Sequence, residues 1–354
     1  MGNKVAFAAF CTAARARALA VCLALCTLVM GLSASDHEPA IITFDPPGAI
    51  LTIPTSITPA GVIAGNYEDA NFVEHGFVRS PQGTLTTFDP PHSIFTIVWG
   101  INPAGAIGGA YCDATECHGF LRVRDGSFTT FDPPGTIEPN LPAFVPPGGI
   151  NPAGAITGNY FDAQEVYHGF LRASDGAITS FDPPGSILTQ AFVINPAGAI
   201  TGYYEDASFV AHGFLRASDG TFTTFDPPGS VSTSPFGINP AGAIAGSYFD
   251  TNTVAHGFLR PPDGTFIAFD VPAAGTGLFQ GTYPSGLNPS GAITGYYCDA
   301  TECHGFLRVR EGSFTTFDPP GSVGTFPSAI NPAGAITGTY SDASFLQHGF
   351  VRIP

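Results

Sequence analysis

Three chemically able side chains recur through this sequence at fixed offsets. His-Gly-Phe begins at His75, His118, His168, His212, His256, His304 and His348. Tyr-x-Asp ends on Asp69, Asp113, Asp162, Asp206, Asp250, Asp299 and Asp342, and Phe-Asp on Asp45, Asp89, Asp132, Asp182, Asp226, Asp270 and Asp318. A histidine facing a carboxylate is what a general base and its orienting partner require. Recurrence argues otherwise: an active site joins unlike groups once, whereas a group present in every copy of a repeat is most simply a structural hydrogen-bond partner. The histidines and the Phe-Asp carboxylates are therefore read as one structural network. The arginine after each His-Gly-Phe-Leu/Val, such as Arg216, is expected to belong to it. No Gly-x-Ser-x-Gly elbow, phosphate loop or His-Glu-x-x-His occurs, and no catalytic residue is assigned.

The repeat that carries these groups predicts the fold. Successive His-Gly-Phe signatures lie 43, 50, 44, 44, 48 and 44 residues apart. Each unit resembles residues 191–229, four strand-sized pieces separated by turn residues. Asn195-Pro196-Ala197-Gly198 has the residue preferences of a type I turn and joins the first strand to the second. Ser218-Asp219-Gly220 closes a second hairpin that places Gly213 opposite Phe225 and His212 opposite Asp226. A four-stranded sheet of this size cannot cover its own apolar faces, so units must stack. The sequence carries an isolated fourth strand at residues 41–47, and residues 348–354 run out where such a strand is due. The expected fold is all-β: a seven-bladed β-propeller of four-stranded antiparallel blades spanning 36–354, with the N-terminal strand closing the seventh blade as a velcro.

The residues Gly-Ile-Asn-Pro-Ala-Gly-Ala-Ile-x-Gly, then Tyr-x-Asp and His-Gly-Phe-Leu, resemble the bacterial extracellular HAF-like repeats, named for a His-Ala-Phe signature that here reads His-Gly-Phe. The resemblance covers residues 41–354. It implies export and a propeller-like β fold, and it implies no particular reaction.

Composition agrees with this outline. The chain has 354 residues, 44 Gly, 33 Pro and 31 Phe, with only 11% charged residues, which suits turns and a packed core and excludes long amphipathic helices. Residues 1–35 place Lys4, Arg15 and Arg17 before an apolar run and then small residues, the order of a secretory signal peptide. The formal net charge is −16, and every basic residue of that segment is lost on cleavage, so nucleic acid is excluded as a partner and membrane insertion after cleavage is not expected. A secreted or periplasmic monomer is expected.

The Tyr-x-Asp carboxylates share a propeller face with the blade-to-blade linkers. Two linkers are long: Asp132 to Asn151 is 19 residues and Asp270 to Asn288 is 18, against 13 elsewhere. These seven carboxylates are the ligand-face candidates, together with Trp99, a ring that fits a core position as well. A glycan or an extracellular protein is the expected partner. The expected role is a non-enzymatic binding scaffold, with a channel-mouth lyase or hydrolase, or a purely structural surface protein, as alternatives. Cys112/Cys117 and Cys298/Cys303 sit in two near-identical loops, which in an oxidising compartment read as two local disulfides. Zinc and c-type haem attachment are rival readings, but both lean on a histidine the repeat already explains. Calcium would suit the acidic rim, but no Asp-x-Asp-x-Asp-Gly loop is present, and no cofactor is assigned.

Overall fold

The structure, a computed structural model, describes residues 39–136 and 148–354; the expected export signal and part of the long linker after Asp132 lie outside the described residues. The described residues form strands and turns, and no helix among them is long and apolar enough to cross a membrane. Each repeat folds as an antiparallel four-stranded sheet. In the fourth repeat the strands are Leu188–Ile194, Ile200–Glu205, Ala211–Arg216 and Phe222–Phe225, paired in chain order.

The turns follow the chemistry of their residues. Asn195 Oδ1 accepts hydrogen bonds from the Ala197 and Ala199 amides, both at 3.0 Å, and Gly198 takes the positive φ that completes the reversal. In the second hairpin Asp219 Oδ1 accepts from the Thr221 amide and hydroxyl, while Gly220 has φ +92. The register sets Gly213 opposite Phe225, as the spacing predicts, and a Cβ at Gly213 would lie 2.4 Å from the Phe225 ring. Only glycine lets that ring lie flat across the sheet.

Flat sheets of this kind are held by what passes between them. The signature phenylalanines Phe77, Phe120, Phe170, Phe214, Phe258, Phe306 and Phe350 are at most 1% exposed. Six of them meet the Phe-Asp ring of the preceding repeat edge-on, as Phe258 meets Phe225 at 6.2 Å, and Phe306 shares a buried cluster with Phe269. The same ring supports an arginine from the following repeat: Arg216 lies over Phe181 at 4.9 Å and Arg260 over Phe225 at 4.9 Å. Arg216 therefore does not join the His/Asp network. His212 and Arg216 stand at opposite ends of one strand, about 13 Å apart at the usual rise, beyond reach of the same carboxylate.

Polar side chains bridge the same junctions. Asn151 Nδ2 donates to the Asn195 carbonyl, Asn195 Nδ2 to the Asn239 carbonyl, and Asn288 Nδ2 to the Asn331 carbonyl. Asn331 Nδ2 then donates to the Thr58 carbonyl of the first repeat at 3.2 Å, and Ser328 Oγ donates to the Pro54 carbonyl. Ile57, Ile63, Tyr67 and Phe77 of the first repeat pack with Val351 of the last and with Phe44.

The N-terminal strand Ala40–Phe44 pairs with Gln347–Ile353. It makes three contacts that the fourth strand of other repeats also makes. Phe44 carries Arg79 at 4.8 Å, Phe44 also covers Gly349, and Asp45 meets His348 at 2.7 Å. Phe44→Ala should therefore destabilise the protein by about 3 kcal/mol, close to the loss from Phe225→Ala in mid-chain. Urea unfolding of the two variants checks this; a negligible loss for Phe44→Ala would mean that the N-terminal strand is not part of the packed structure.

Candidate functional site

The repeated polar groups converge seven times in the same way. His212 Nδ1 lies 2.7 Å from the Asp226 carboxylate, an acceptor, so that nitrogen carries the hydrogen. Its Nε2 faces Asp206 at 3.5 Å, and the Tyr204 ring packs against the imidazole at 5.3 Å. The second oxygen of Asp226 accepts from Thr233 Oγ1 in the first strand of the next repeat. Comparable pairs are His75 with Asp89, His118 with Asp132, His168 with Asp182, His256 with Asp270 and His304 with Asp318, at 2.7–3.0 Å. Burial disfavours the charged ring, yet hydrogen bonds to the two carboxylates outweigh it and raise His168, His212 and His348 above the ordinary imidazole range.

The ligand-face carboxylates are spent on their own loops. Asp206 Oδ1 accepts the amides of Ser208 and Val210, and Asp69, Asp162, Asp250 and Asp342 do the same in their turns. Thr115 and the Glu116 amide hold Asp113 down to about 2, and the Glu302 amide with Thr301 holds Asp299 down to about 2. The turn they brace lifts Phe72, Phe209 and Phe345 into solvent at φ of 61–63. Both cysteine pairs are disulfide-bonded, each linking direct cross-strand partners at the base of this loop. Among the described residues no group of three or more His, Cys, Asp or Glu is arranged to hold a metal ion.

A different set of residues, which the repeat pattern does not single out, lines a cavity of about 850 Å³ between the first strands. Its walls run from Ile101, Ile194 and Ile238, beside the Asn-Pro turns, to Glu74 and Gln347, beside the Tyr-x-Asp loops. The first strand breaks register at one corresponding place in six repeats, leaving Thr55, Trp99, Phe192, Phe236, Ser285 and Ser328 unpaired. A bulge re-aims one side chain, and all six border the cavity. The aromatic side is Phe236, 37% exposed, stacked on Phe192 at 5.3 Å with 8° between the rings. Trp99 borders the cavity but is 5% exposed and packs on Phe170, so it serves as core and not as the open stacking ring.

The polar side gathers where the first and last repeats meet. Asn66, Glu74, Thr339 and Gln347 line it together with Ser285 and Ser328. Glu74 is the direct cross-strand partner of Glu68, and Asn66 Nδ2 donates to Glu74 Oε2. Burial first, then the neighbouring Glu68 charge, pushes the Glu74 carboxyl up to about 7 against the opposing pull of Asn66. The signal in the sequence was a departure from the repeat: the position before each histidine reads Glu74, Cys117, Tyr167, Ala211, Ala255, Cys303 and Gln347.

No protein-family model matches the chain, and no curated protein is significantly similar to it. Similarity appears among solved structures. Virginiamycin B lyase from Staphylococcus aureus, crystallised as a catalytically inactive variant with quinupristin, superposes with a TM-score of 0.61 at 13% identity, over 90% of this chain and 100% of that one. The β-propeller domain of the Trilobed protease from Pyrococcus furiosus, described as having an open velcro topology, gives 0.58 at 8% identity, over 85% and 94%. TolB from Acinetobacter baumannii gives 0.51 at 13% identity, over 72% and 63%. At these identities the likeness is one of fold, and the fold is a β-propeller.

The raised Glu74 carboxyl has a measurable consequence. The folded protein holds a proton there that the unfolded chain releases near pH 4.5, so stability falls as pH rises from about 4.5 to 7. Glu74→Gln should match wild type near pH 4.5 and exceed it above pH 7, by about 1–2 kcal/mol after allowance for solvent screening. Urea unfolding at both pH values tests this, and an unchanged difference would place an ordinary carboxylate at Glu74.

Proposed function

We propose that this protein is an exported seven-bladed β-propeller, closed by its N-terminal strand, that binds an amphipathic molecule in its central channel. Support for the ring comes from the junction of last and first repeats, which carries the same aromatic, arginine and asparagine contacts as the internal ones. The two disulfides suit an oxidising compartment, in keeping with the expected signal peptide and with a periplasmic or extracellular site of action. The observation that carries the binding reading is the two-sided wall of the cavity: Phe236 and Phe192 on one side, Asn66, Glu74, Thr339 and Gln347 on the other. A mostly apolar hollow with a few convergent polar groups is what small-molecule sites share. The Tyr-x-Asp face is the less favoured contact surface, since its carboxylates are engaged within their loops. Phe72, Phe209 and Phe345 leave that face open to a glycan or an extracellular protein partner.

One observation favours enzymatic use of the same channel. A carboxyl poised near neutrality and partly buried beside a second carboxylate is a fitting proton donor or acceptor for a lyase or hydrolase. The neighbouring lyase shares a fold with this chain and lends no chemistry to it.

Titration of the full chain with the neutral apolar fluorophore N-phenyl-1-naphthylamine tests the binding reading. One saturable site per chain is expected, with affinity lowered about tenfold by Phe236→Ser, whose residue already occupies the equivalent bulge at Ser285 and Ser328. Absence of saturable binding, or binding indifferent to Phe236→Ser, would remove the channel as the site.

A further inference from the structure

Among the described residues the cavity wall contains a single ionisable side chain, Glu74. Positive charge is kept away from it. Seven of the arginines lie on Phe-Asp rings between repeats, and Arg124 and Arg310 follow in the adjoining second hairpins, beside Gly105 and Gly291 of the Asn-Pro turns. The surroundings of Glu74 are acidic or neutral. Its paired strand Ile63–Asp69 brings Asn66, Tyr67, Glu68 and Asp69, of which Asp69 is tied into its own turn and Tyr67 packs on His75. Strands Ala49–Ile57, Leu85–Phe88 and Phe95–Ile101 carry no ionisable side chain. On Gln347–Ile353, His348 is held by Asp45 and Asp342, and Arg352 lies over Phe317. His75, next to Glu74 in sequence, faces Asp89.

Two glutamates directly opposite each other on paired strands repel when both are ionised. At the same cross-strand position two other repeats place a disulfide, so nothing in the backbone demands a charge pair there. A cation entering from the cavity would relieve the repulsion, and the stacked Phe236 and Phe192 rings opposite offer apolar surface and a negative π-face.

We propose, building on the channel as the binding site, that its ligand is a hydrophobic amine: an apolar body with one positive charge, lodged against Phe236 and Phe192 with Glu74 as counter-ion. Binding converts the Glu74 carboxylic acid to carboxylate. The proton goes to solvent, the ammonium keeps its own, and no covalent bond changes. Affinity therefore rises with pH until Glu74 is ionised before the ligand arrives.

Three matched probes separate charge from shape: 2-(1-naphthyl)ethylamine, 2-(1-naphthyl)ethanol and 1-naphthylacetate, each titrated calorimetrically into the full chain near pH 6 and pH 8 in buffers of differing ionisation enthalpy. The amine should bind at least about tenfold more tightly than the alcohol and the acid, release about one proton near pH 6, and tighten at pH 8. Glu74→Gln should reduce the amine to the level of the alcohol. Glu68→Gln, which keeps Glu74, should preserve the preference. Equal binding of amine and alcohol, preference for the acid, or a preference that survives Glu74→Gln would overturn the amine assignment while leaving the channel site in place. Failure of all three probes to bind would overturn both.

Discussion

Each repeat of this protein leaves an apolar flank that only a neighbour can cover, and that uncovered flank governs the rest of the structure. Phe214 is fully buried although its own sheet is one layer thick, because the Phe181 ring of the preceding repeat closes over it. Arg216 lies over that ring, so one phenylalanine serves a core contact, a cross-strand contact with Gly169 and a cation–π contact at once. A single sheet of about 44 residues lacks the thickness to supply these contacts itself. The same demand explains why Phe44, far from Gly349 in sequence, covers that glycine as its counterparts cover theirs.

The asparagines at the junctions obey the companion rule that buried donors and acceptors find partners, whereas the buried Nε of Arg216 and Arg260 has no hydrogen-bond partner and those side chains rest on a ring face instead. The turn asparagines hold their own hairpin with Oδ1 and reach the next repeat with Nδ2, so one side chain fixes a turn and a neighbour's position together. Thr58 replaces this asparagine in the first repeat: its hydroxyl still accepts the Val62 amide, but it has no amide to pass onward. A His/Asp/Thr chain does similar work at the other end of the sheets for five of the carboxylates: Asp45, Asp89, Asp182, Asp226 and Asp318. Seven copies of a chemically capable pair thus share one geometry.

Individuality resides where the repeat lapses. In six repeats the bulge in the first strand leaves one side chain bordering the cavity, and its identity varies from Thr and Ser to Phe and Trp. Phe192 and Phe236 therefore stand in a place where Ser285 and Ser328 also serve. Glu74 and Gln347 occupy another such tolerant position. A set of near-identical units becomes chemically lopsided in this way, with aromatic surface on one side and a lone carboxyl on the other.

The residues alone determined the all-β character, the four strands of each repeat, both hairpins and the pairing of Gly213 with Phe225, because these depend on local turn geometry and on side-chain alternation with a period of two. The partner of six of the histidines was legible for the same reason, since an invariant hairpin length fixes which residues face each other; His348 instead meets Asp45 of the N-terminal strand, which no hairpin dictates. The reach of Arg216 to a different repeat was not legible, because it depends on which sheet packs against which. Nor was the cavity: the side chains that line it come from repeats far apart in the chain, and a bulge, not a motif, decides which of them point inward. Tertiary packing alone decided that Glu74 would be partly buried beside Glu68 and across a cavity from Phe236, because burial and a shared hollow are properties of the assembled sheets.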